Sequence, residues 1–388
     1  MTDHRLAGPI LPGATIGMVG GGQLGRMFAL EARRMGYRLV VLDPGKDTPA
    51  AQFCDHHIRA PFEDVDACLE LARRSDVVTL EWENADVSTL RRMAEHVQIH
   101  PSPDVLEVAQ HRVREKDAAR RLGVMTAEYR AVRSRGDLRA ALDEIGAPAI
   151  LKTARMGYDG KGQAVIRDPA EADGAWDALS AGADDFILEA RVPFRMEVSV
   201  VCARNAAGQV ATFPVAENEH RRGILHLSVV PARVDAAVAA RAEQVARTLA
   251  EGLGVVGLLA VEMFVDGGRI LMNEIAPRPH NSGHYTWEAC PVSQFEQQLR
   301  AVCGLPLGDA GLLRPAAMVN LMGEDAGTGL GRAGVADALA VPGTALHLYG
   351  KAEARPGRKM GHLTCLGDTA DEAADRALAA WERMTGTE

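Results

Sequence analysis

The chain has 388 residues, 47% hydrophobic and 24% charged, which suits a globular protein of two or three domains. A net charge of −9 speaks against general nucleic-acid binding, which needs a basic footprint, but leaves room for a local pocket for small anions. No stretch reaches the roughly 18 apolar residues of a membrane span, and the apolar patch within Met1–Pro12 is too short for a secretion signal. The six cysteines (54, 68, 202, 290, 303 and 365) are scattered without a C-x-x-C pair, so reduced thiols and a cytoplasmic location are expected.

In chain order, Ile16–Val19 reads as a buried strand, Gly20–Gly25 as a turn, and Arg26–Met35 as a helix ending at Gly36. Leu39–Leu42 and Asp76–Leu80 are further strands, and this βαβ rhythm predicts a parallel sheet flanked by helices. Pro101-Ser102-Pro103 marks a boundary. Residues 104–123 form one charged helical pattern, and 126–200 mix helices with strands, among them Phe186–Glu189 and Glu197–Val201. An Ala-rich helix over 235–252 leads to a hairpin, Leu259–Val265 and Arg269–Ile275, around Asp266-Gly267-Gly268. From about Gly311 the chain turns to glycine and short strands and closes with a helix over 371–384.

Five constellations carry chemistry. After the apolar strand Ala149–Leu151 comes Lys152, then Gly157-Tyr158-Asp159-Gly160-Lys161-Gly162-Gln163. Glycines let backbone N–H groups approach phosphate oxygens and lysines bring mobile positive charge, yet no Walker motif is present. A solvated turn is the alternative. On the hairpin, Glu262 and Glu274 fall opposite each other if the loop is centred on Gly268, with Asn273 facing away unless a bulge turns it back. Two such carboxylates want a cation, and Mg²⁺ carrying a polyphosphate suits them, with solvated strand charges as the alternative. Next, Arg278, His280, Asn281 and Ser282 sit in a proline-framed loop rich in donors for an oxyanion. His284 lies four residues after His280, but Gly283 and the prolines disfavour a helical zinc pair. Gly20-Gly21-Gly22-Gln23-Leu24-Gly25, with Asp43 ending the next strand, fits a dinucleotide fingerprint, and equally a turn that holds another phosphate at a helix N-terminus. Finally, Lys351, Arg355, Arg358 and Lys359 put four cations in nine residues, either a solvated loop or a second anion site.

Together these stretches resemble the ATP-grasp superfamily and, within it, the 5-(carboxyamino)imidazole ribonucleotide synthase family. The resemblance runs from Gly17 to about His362 and rests on Gly20–Met27, Gly157–Gln163, Asn273–His284 and Arg355–His362. It implies an α/β chain, α+β overall, with a Rossmann-like parallel-sheet domain over 1–103. An ATP-grasp domain over 104–310 would follow, with a lid subdomain at about 126–190, and then a small β-rich C-terminal domain over 311–388. Arg112 and Lys152 would contact the ATP phosphates under a lid loop of Gly157, Tyr158, Asp159, Gly160, Lys161, Gly162 and Gln163. Glu189, Ala190, Arg191 and Val192 would form the adenine hinge, Glu197 would take the ribose hydroxyls, and His220, Asn273 and Glu274 would line the pocket. Glu262 and Glu274 would hold Mg²⁺, with Mn²⁺ as an alternative. Gly22, Gln23, Leu24, Glu81, Tyr158, His280, Asn281, Ser282, Lys351, Arg355 and Arg358 would bind the aminoimidazole ribonucleotide and the bicarbonate-derived group. Met156 stands where the family often has glycine and stiffens the loop.

The implied reaction is ATP-dependent carboxylation of 5-aminoimidazole ribonucleotide by bicarbonate through carboxyphosphate, in purine biosynthesis. Tyr158, Asp159, Arg278, Lys351 and Arg358 are its catalytic candidates, with Asp159 for proton removal. A homodimer is expected, with neither nucleic acid nor membrane as partner. Three rivals stand beside it. Another ATP-grasp ligase would share the nucleotide machinery. A nicotinamide-dependent oxidoreductase would rest on the glycine turn alone. A nucleotide-binding regulatory protein would lack turnover.

Overall fold

The computed structural model describes residues 8–157, 161–325 and 332–386. Tyr158, Asp159 and Gly160 therefore lie outside the described residues. The first hundred residues build the expected parallel sheet, with strands in the order His56–Ile58, Arg38–Leu42, Thr15–Val19, Val77–Leu80, Ile99–His100. The strands flanking Thr15–Val19 come from opposite directions of the winding. This creates a switch point whose crevice opens beyond the strands' C-terminal ends, where α/β sheets bind ligands. The turn after Val19 and the segment after Leu80 both project there.

A four-stranded antiparallel sheet follows, in the order Tyr129–Val132, Phe186–Ala190, Ala149–Thr153, Gln163–Ile166. The helices Arg135–Ile145 and Ala172–Ser180 cover it through a small core that includes Leu138, Leu142, Leu151, Phe186 and Leu188. This is the part expected as a lid subdomain.

The third sheet has nine antiparallel strands. Its main path runs Arg269–Ala276, Gly257–Asp266, Met196–Arg204, Ala216–Arg221, Ile224–Val230, Ala316–Met322, Lys359–Leu366, Thr344–Leu348. Strands from both sides of the expected border at 310/311 share one sheet, because Ile224–Val230 pairs directly with Ala316–Met322. The helix Ala236–Gly252 packs one core against this sheet, and the C-terminal helix Ala370–Thr385 another. Phe295, Leu299 and Val302 of the helix Gln294–Val302 share a core with the parallel sheet. Gln298 of that helix donates to Thr79 Oγ1 at 2.7 Å and accepts from Leu258 N at 2.7 Å, stapling two sheets together.

Two local expectations change. The charged pattern over 104–123 is two helices, Pro103–Ala109 and Arg112–Arg121. Ser102 caps the first through Val105 N, with Pro103 at a position where its missing N–H costs nothing, so Pro103 starts a helix as well as marking a boundary. The break at Gln110–His111 is held from outside: Gln110 Nε2 donates to the Glu83 and Ala85 carbonyls, and His111 meets Asp185 at 2.9 Å. The hairpin turn is the two-residue Gly267–Gly268, both at positive φ, rather than a loop centred on Gly268. The register shifts by one residue between Glu262 and Met263, and this bulge at Asn273 is what restores Glu262 opposite Glu274.

Candidate active site

A cleft of about 1080 Å³ runs between the three sheets. One end is lined by Ile150, Lys152, Lys161, Gln163, Phe194, Glu197, His220 and Phe264. Its middle holds Arg112, Glu262, Asn273, Glu274, Arg278, His280 and Asn281. The far end holds Gly22, Gln23, Leu24, Glu81, Lys351, Arg355, Arg358 and Lys359. Residues separated by more than three hundred positions thus share one space.

The helix Arg112–Arg121 carries charges at i, i+3 and i+4 on one face, Arg112 lining the cleft and Glu115 and Lys116 buried behind it. Arg112 Nη1 donates to Glu274 at 2.9 Å and its Nη2 to the Gly157 carbonyl at 3.0 Å. Burial works against the Arg112 charge, but Glu274 and Glu115 outweigh it and raise its pKa. Glu115 accepts a hydrogen bond from Ile275 N, and burial followed by the Glu274 charge pushes its carboxyl up. Lys116 donates to the Asn273 carbonyl at 3.0 Å. Buried Glu189 lies between two ammonium groups, Lys152 at 2.8 Å and Lys116 at 3.4 Å. Burial alone would raise Glu189, yet Lys116 and Lys152 pull it down to about 2. Lys152 is itself lowered by desolvation.

The pair expected to hold a metal is formed: Glu262 and Glu274 are direct cross-strand partners. Each faces a separate nitrogen group, His280 Nε2 at 3.1 Å from Glu262 and the Arg112 guanidinium at 2.9 Å from Glu274. Burial would raise Glu262, but the His280 bond and the His220 and Lys359 charges hold it below the ordinary carboxylate range. Among the described residues no group of three or more His, Cys, Asp or Glu could hold a metal by itself. Two hard carboxylates fit Mg²⁺ or Mn²⁺ that take their remaining ligands from phosphate oxygens and water.

At the first end of the cleft, Glu197 contacts His220 Nδ1. Burial opposes the charged ring of His220, but the Glu197 bond and the charges of Glu197 and Glu262 prevail and raise it. Glu189 and Ala190 end the strand Phe186–Ala190, Arg191 and Val192 follow it, and none of the four lines the cleft. The Ala190 and Arg191 N–H groups donate to the Glu128 and Pro148 carbonyls at 2.8 and 3.1 Å, which fixes the backbone of the stretch expected as an adenine hinge. Phe194 stacks on Phe264 with ring centres 4.5 Å apart.

The loop after the hairpin splits its residues. Arg278 forms a two-point ion pair with Glu83, at 2.8 and 2.9 Å. Burial disfavours the Arg278 charge, but Glu83 and Glu81 raise its pKa on balance. His280 and Asn281 face the cleft, whereas Ser282 is buried one layer behind and bonds His280 Nδ1 at 2.8 Å. His284 is buried and separated from His280, against Phe295, Tyr349 and His362. The histidine spacing therefore makes no metal pair.

At the far end, the glycine turn is already engaged by carboxylates. Gly21 N donates to Asp43 Oδ2 at 2.8 Å and Gly22 N donates to Glu81. A side chain at Gly22 would collide with Glu81. Asp43 also accepts from Gly45 N at 2.8 Å, so both of its oxygens serve the loop rather than a dinucleotide ribose. Burial lifts Glu81 to about 7 against the Gly22 bond. Lys351 Nζ donates to the Lys359 carbonyl at 2.6 Å. Arg358 donates to the Glu353 carbonyl at 2.8 Å, and Arg355 pairs with Glu353. Gly162, at φ +71, accepts from Thr153 N at the base of the lid loop.

Sequence reasoning missed Glu115 and Lys116, although R-x-x-E-K from Arg112 carried the one-face spacing. It gave Glu83 no partner and passed over Gln294, whose buried amide bonds the His280 N–H and carbonyl at 2.9 and 2.7 Å.

Three family models match the chain. They are a ribonucleotide synthetase preATP-grasp domain over residues 13–110, an ATP-grasp domain over 117–295, and a phosphoribosylaminoimidazole carboxylase C-terminal domain over 316–376. The fold and cleft are those of an ATP-grasp ligase. The N5-carboxyaminoimidazole ribonucleotide synthase of Bacillus subtilis is 44% identical, over 97% of this chain and 98% of that one. The enzyme of that name from Brucella melitensis is 46% identical over 91% and 96%. A crystal structure of an N5-carboxyaminoimidazole ribonucleotide synthetase with ADP superposes with a TM-score of 0.91 at 46% identity, covering 98% of this chain and 100% of that one. The Aspergillus clavatus synthase with ADP and 5-aminoimidazole ribonucleotide gives 0.87 at 32%, covering 95% and 99%. The chain belongs to the N5-carboxyaminoimidazole ribonucleotide synthase family.

Proposed function

We propose that this enzyme carboxylates the amine of 5-aminoimidazole ribonucleotide with bicarbonate, at the cost of one ATP, in purine biosynthesis. One observation carries the reading: a single cleft joins the Glu262–Glu274 pair and Lys152 to the cationic Lys351, Arg355 and Arg358. A nucleotide triphosphate and a ribonucleotide phosphate can then sit end to end.

Arg112 and Lys152 bind ATP phosphates, and Phe194 with Phe264 offers an apolar wall at the nucleotide end. Glu197 accepts from ribose hydroxyls. Glu262 and Glu274 hold Mg²⁺, which when bound offsets charge on the transferred phosphoryl group. A bicarbonate oxygen attacks the γ-phosphorus, the bond to the β-bridging oxygen breaks, and ADP leaves. Arg278, His280 and Asn281 offer donors to the carboxyphosphate so formed. The ribonucleotide amine attacks its carbon, phosphate departs, and a proton is lost from nitrogen. Lys351 and Arg358 anchor the ribonucleotide, with Arg355 as a further cation, while Gly22, Gln23, Leu24 and Glu81 contact its ribose side. The turn's two carboxylate partners favour hydroxyl donors over a phosphate there. Tyr158 and Asp159 remain the lid-loop candidates, Asp159 for proton removal. Location in the cytoplasm is supported by six free cysteines, and among the described residues no helix is long and apolar enough to cross a membrane. Family resemblance supports a homodimer.

The test is ADP release in a coupled assay with ATP, Mg²⁺ and bicarbonate. Strong stimulation by aminoimidazole ribonucleotide, with its amine consumed, supports the reading. ADP release indifferent to the ribonucleotide overturns the acceptor.

A further inference from the structure

One helix meets the hairpin strand at three consecutive residues. Arg112 Nη1 reaches the Glu274 carboxylate at 2.9 Å, Lys116 Nζ donates to the Asn273 carbonyl at 3.0 Å, and Glu115 Oε1 accepts from Ile275 N. Arg112, Glu115 and Lys116 stand at i, i+3 and i+4, so a single helix face supplies all three. Glu115 and Lys116 are buried, whereas the Glu274 side chain is 38% exposed in the cleft. Their bonds go to main-chain groups, one on each side of Glu274.

The strand Arg269–Ala276 has need of such partners. It is the outermost strand of its sheet, so one row of its peptide groups faces no neighbouring strand. Met272 N finds a main-chain acceptor, the Met125 carbonyl at 2.8 Å. At Asn273 and Ile275 the side chains of the helix take over. Asn273 is also the bulged residue, without a cross-strand partner. Continuing the register of Met263 and Met272 without a bulge would set Asn273 opposite Glu262 and turn Glu274 to the other face. Lys116 satisfies the carbonyl of the bulged residue, and Glu115 the N–H two residues on. The pair therefore favours the register in which both carboxylates share a face.

We propose that Glu115 and Lys116 are positioning residues for Glu274, gripping the peptide groups on either side of it so that its carboxylate stays opposite Glu262 for one divalent ion. The ion in that statement rests on the ligase reading, whereas the grip does not. Mg²⁺ tolerates little departure from octahedral geometry, so a shifted Glu274 backbone weakens the site even with both carboxylates present.

The experiment is a calorimetric titration with ADP at a series of Mg²⁺ concentrations. Wild type should bind ADP more tightly as Mg²⁺ is added, with a midpoint that reports metal affinity. Lys116→Met and Glu115→Met should each raise that midpoint by about tenfold or more, the size of effect expected when groups supporting a metal ligand are lost. Lys116 also meets Glu189, the partner of Lys152, so its loss should alter metal-free ADP binding as well, and the midpoint reads the metal apart from that change. Glu115→Gln still offers an oxygen to Ile275 N and should keep the wild-type midpoint. In ligand-free protein, amide exchange at Ile275 should quicken in Glu115→Met and not in Glu115→Gln. An unchanged midpoint in both methionine variants overturns the proposal. Equal losses in Glu115→Gln and Glu115→Met also overturn it, since charge and not the grip would then carry the effect. A wild type whose ADP affinity ignores Mg²⁺ overturns the metal reading and the proposal with it, and shows itself before any variant is compared. Should Lys116→Met not fold, Glu115→Met decides against its glutamine counterpart.

Discussion

Arg278 and Glu83 meet through two parallel hydrogen bonds, at 2.8 and 2.9 Å, from opposite sides of the cleft. Arg278 follows the hairpin of the large sheet, and Glu83 follows the last long strand of the parallel sheet. Arg278 is thereby held with its third nitrogen on the Pro279 carbonyl at 3.0 Å, a geometry no lysine could copy. Glu83→Gln keeps the shape but removes the charge. It should lower kcat by about tenfold through a loosened Arg278, an effect of the size seen when supporting hydrogen bonds are lost. Arg278→Lys should lower it further. Steady-state kinetics with both variants at saturating ATP decide the matter, and unchanged kcat in both removes Arg278 from the reaction.

Glu274 pairs with Arg112 at 2.9 Å and, in the proposed function, also holds the metal together with its cross-strand partner Glu262. Glu274→Gln should cut turnover by about a hundredfold or more, since several kcal/mol of charge stabilisation passes through such a site. Chelation of divalent ions should abolish turnover in the wild type, and added Mg²⁺ should restore it. The variant should not be rescued at any Mg²⁺ concentration. A variant with wild-type kcat at high Mg²⁺ would sink the metal assignment.

The hairpin shows where sequence reasoning reaches and where it stops. Apolar alternation and a Gly-Gly turn place Glu262 and Glu274 opposite, but by a loop centred on Gly268. The chain uses a tighter turn and a bulge at Asn273, and the two one-residue differences cancel. Periodicity cannot distinguish those routes, because a bulge depends on what the extra residue meets; here the Asn273 carbonyl takes Lys116. The glycine turn is legible as a turn and ambiguous as a site, because its N–H partners, Asp43 and Glu81, are 22 and 59 residues away. Glu115 and Lys116 look like solvated helix charges until the helix is docked on residues 273–275. Burial of a charged face is a tertiary fact, and local patterns do not carry it.

Lys351 gives the site a pH limb. Burial lowers its pKa first, the positive charges of Arg358 and Lys359 add to this, and Glu81 opposes them, leaving it at about 8. Below that value the ammonium is present and can hold a phosphate; above it the charge is lost. The KM for the ribonucleotide should therefore rise as pH passes about 8, while the KM for ATP stays flat. Lys351→Arg keeps its charge and should remove the limb. For stability the sign is opposite: between about 8 and the ordinary lysine value of 10.5 the unfolded chain binds more proton than the folded one. This group alone thus makes stability increase with pH across that window. A flat ribonucleotide KM from pH 7 to 9 contradicts the assignment.

Arg358 lies in the same cationic loop and offers a planar fork for phosphate, with one nitrogen on the Glu353 carbonyl. Arg358→Ala should raise the ribonucleotide KM by roughly ten- to a hundredfold, the range expected from losing a hydrogen bond to a charged group. The KM for ATP should change little, because Arg112 stands in the middle of the cleft and Lys152 at the end opposite Arg358. Equal increases in both constants would show that Arg358 supports the cleft as a whole.

Met156 precedes the expected lid loop and Gly162 lies near its end, and both have positive φ, 62° and 71°. Glycine tolerates this region, and a side chain pays about 1–2 kcal/mol for it. Met156 is exposed, so its side chain returns little packing against that strain. Met156→Gly should therefore leave the melting temperature unchanged or slightly raised, since relief of strain is offset by about 0.5–1 kcal/mol of chain entropy. Gly162→Ala adds both the strain and a contact, because a Cβ there would lie 2.7 Å from Thr153 Oγ1. It should lower the melting temperature by a few degrees and loosen the bond from Thr153 N to the Gly162 carbonyl. Calorimetry on the two variants, with amide exchange at Thr153, reads both effects. A larger loss for Met156→Gly than for Gly162→Ala would contradict this account of the loop's base.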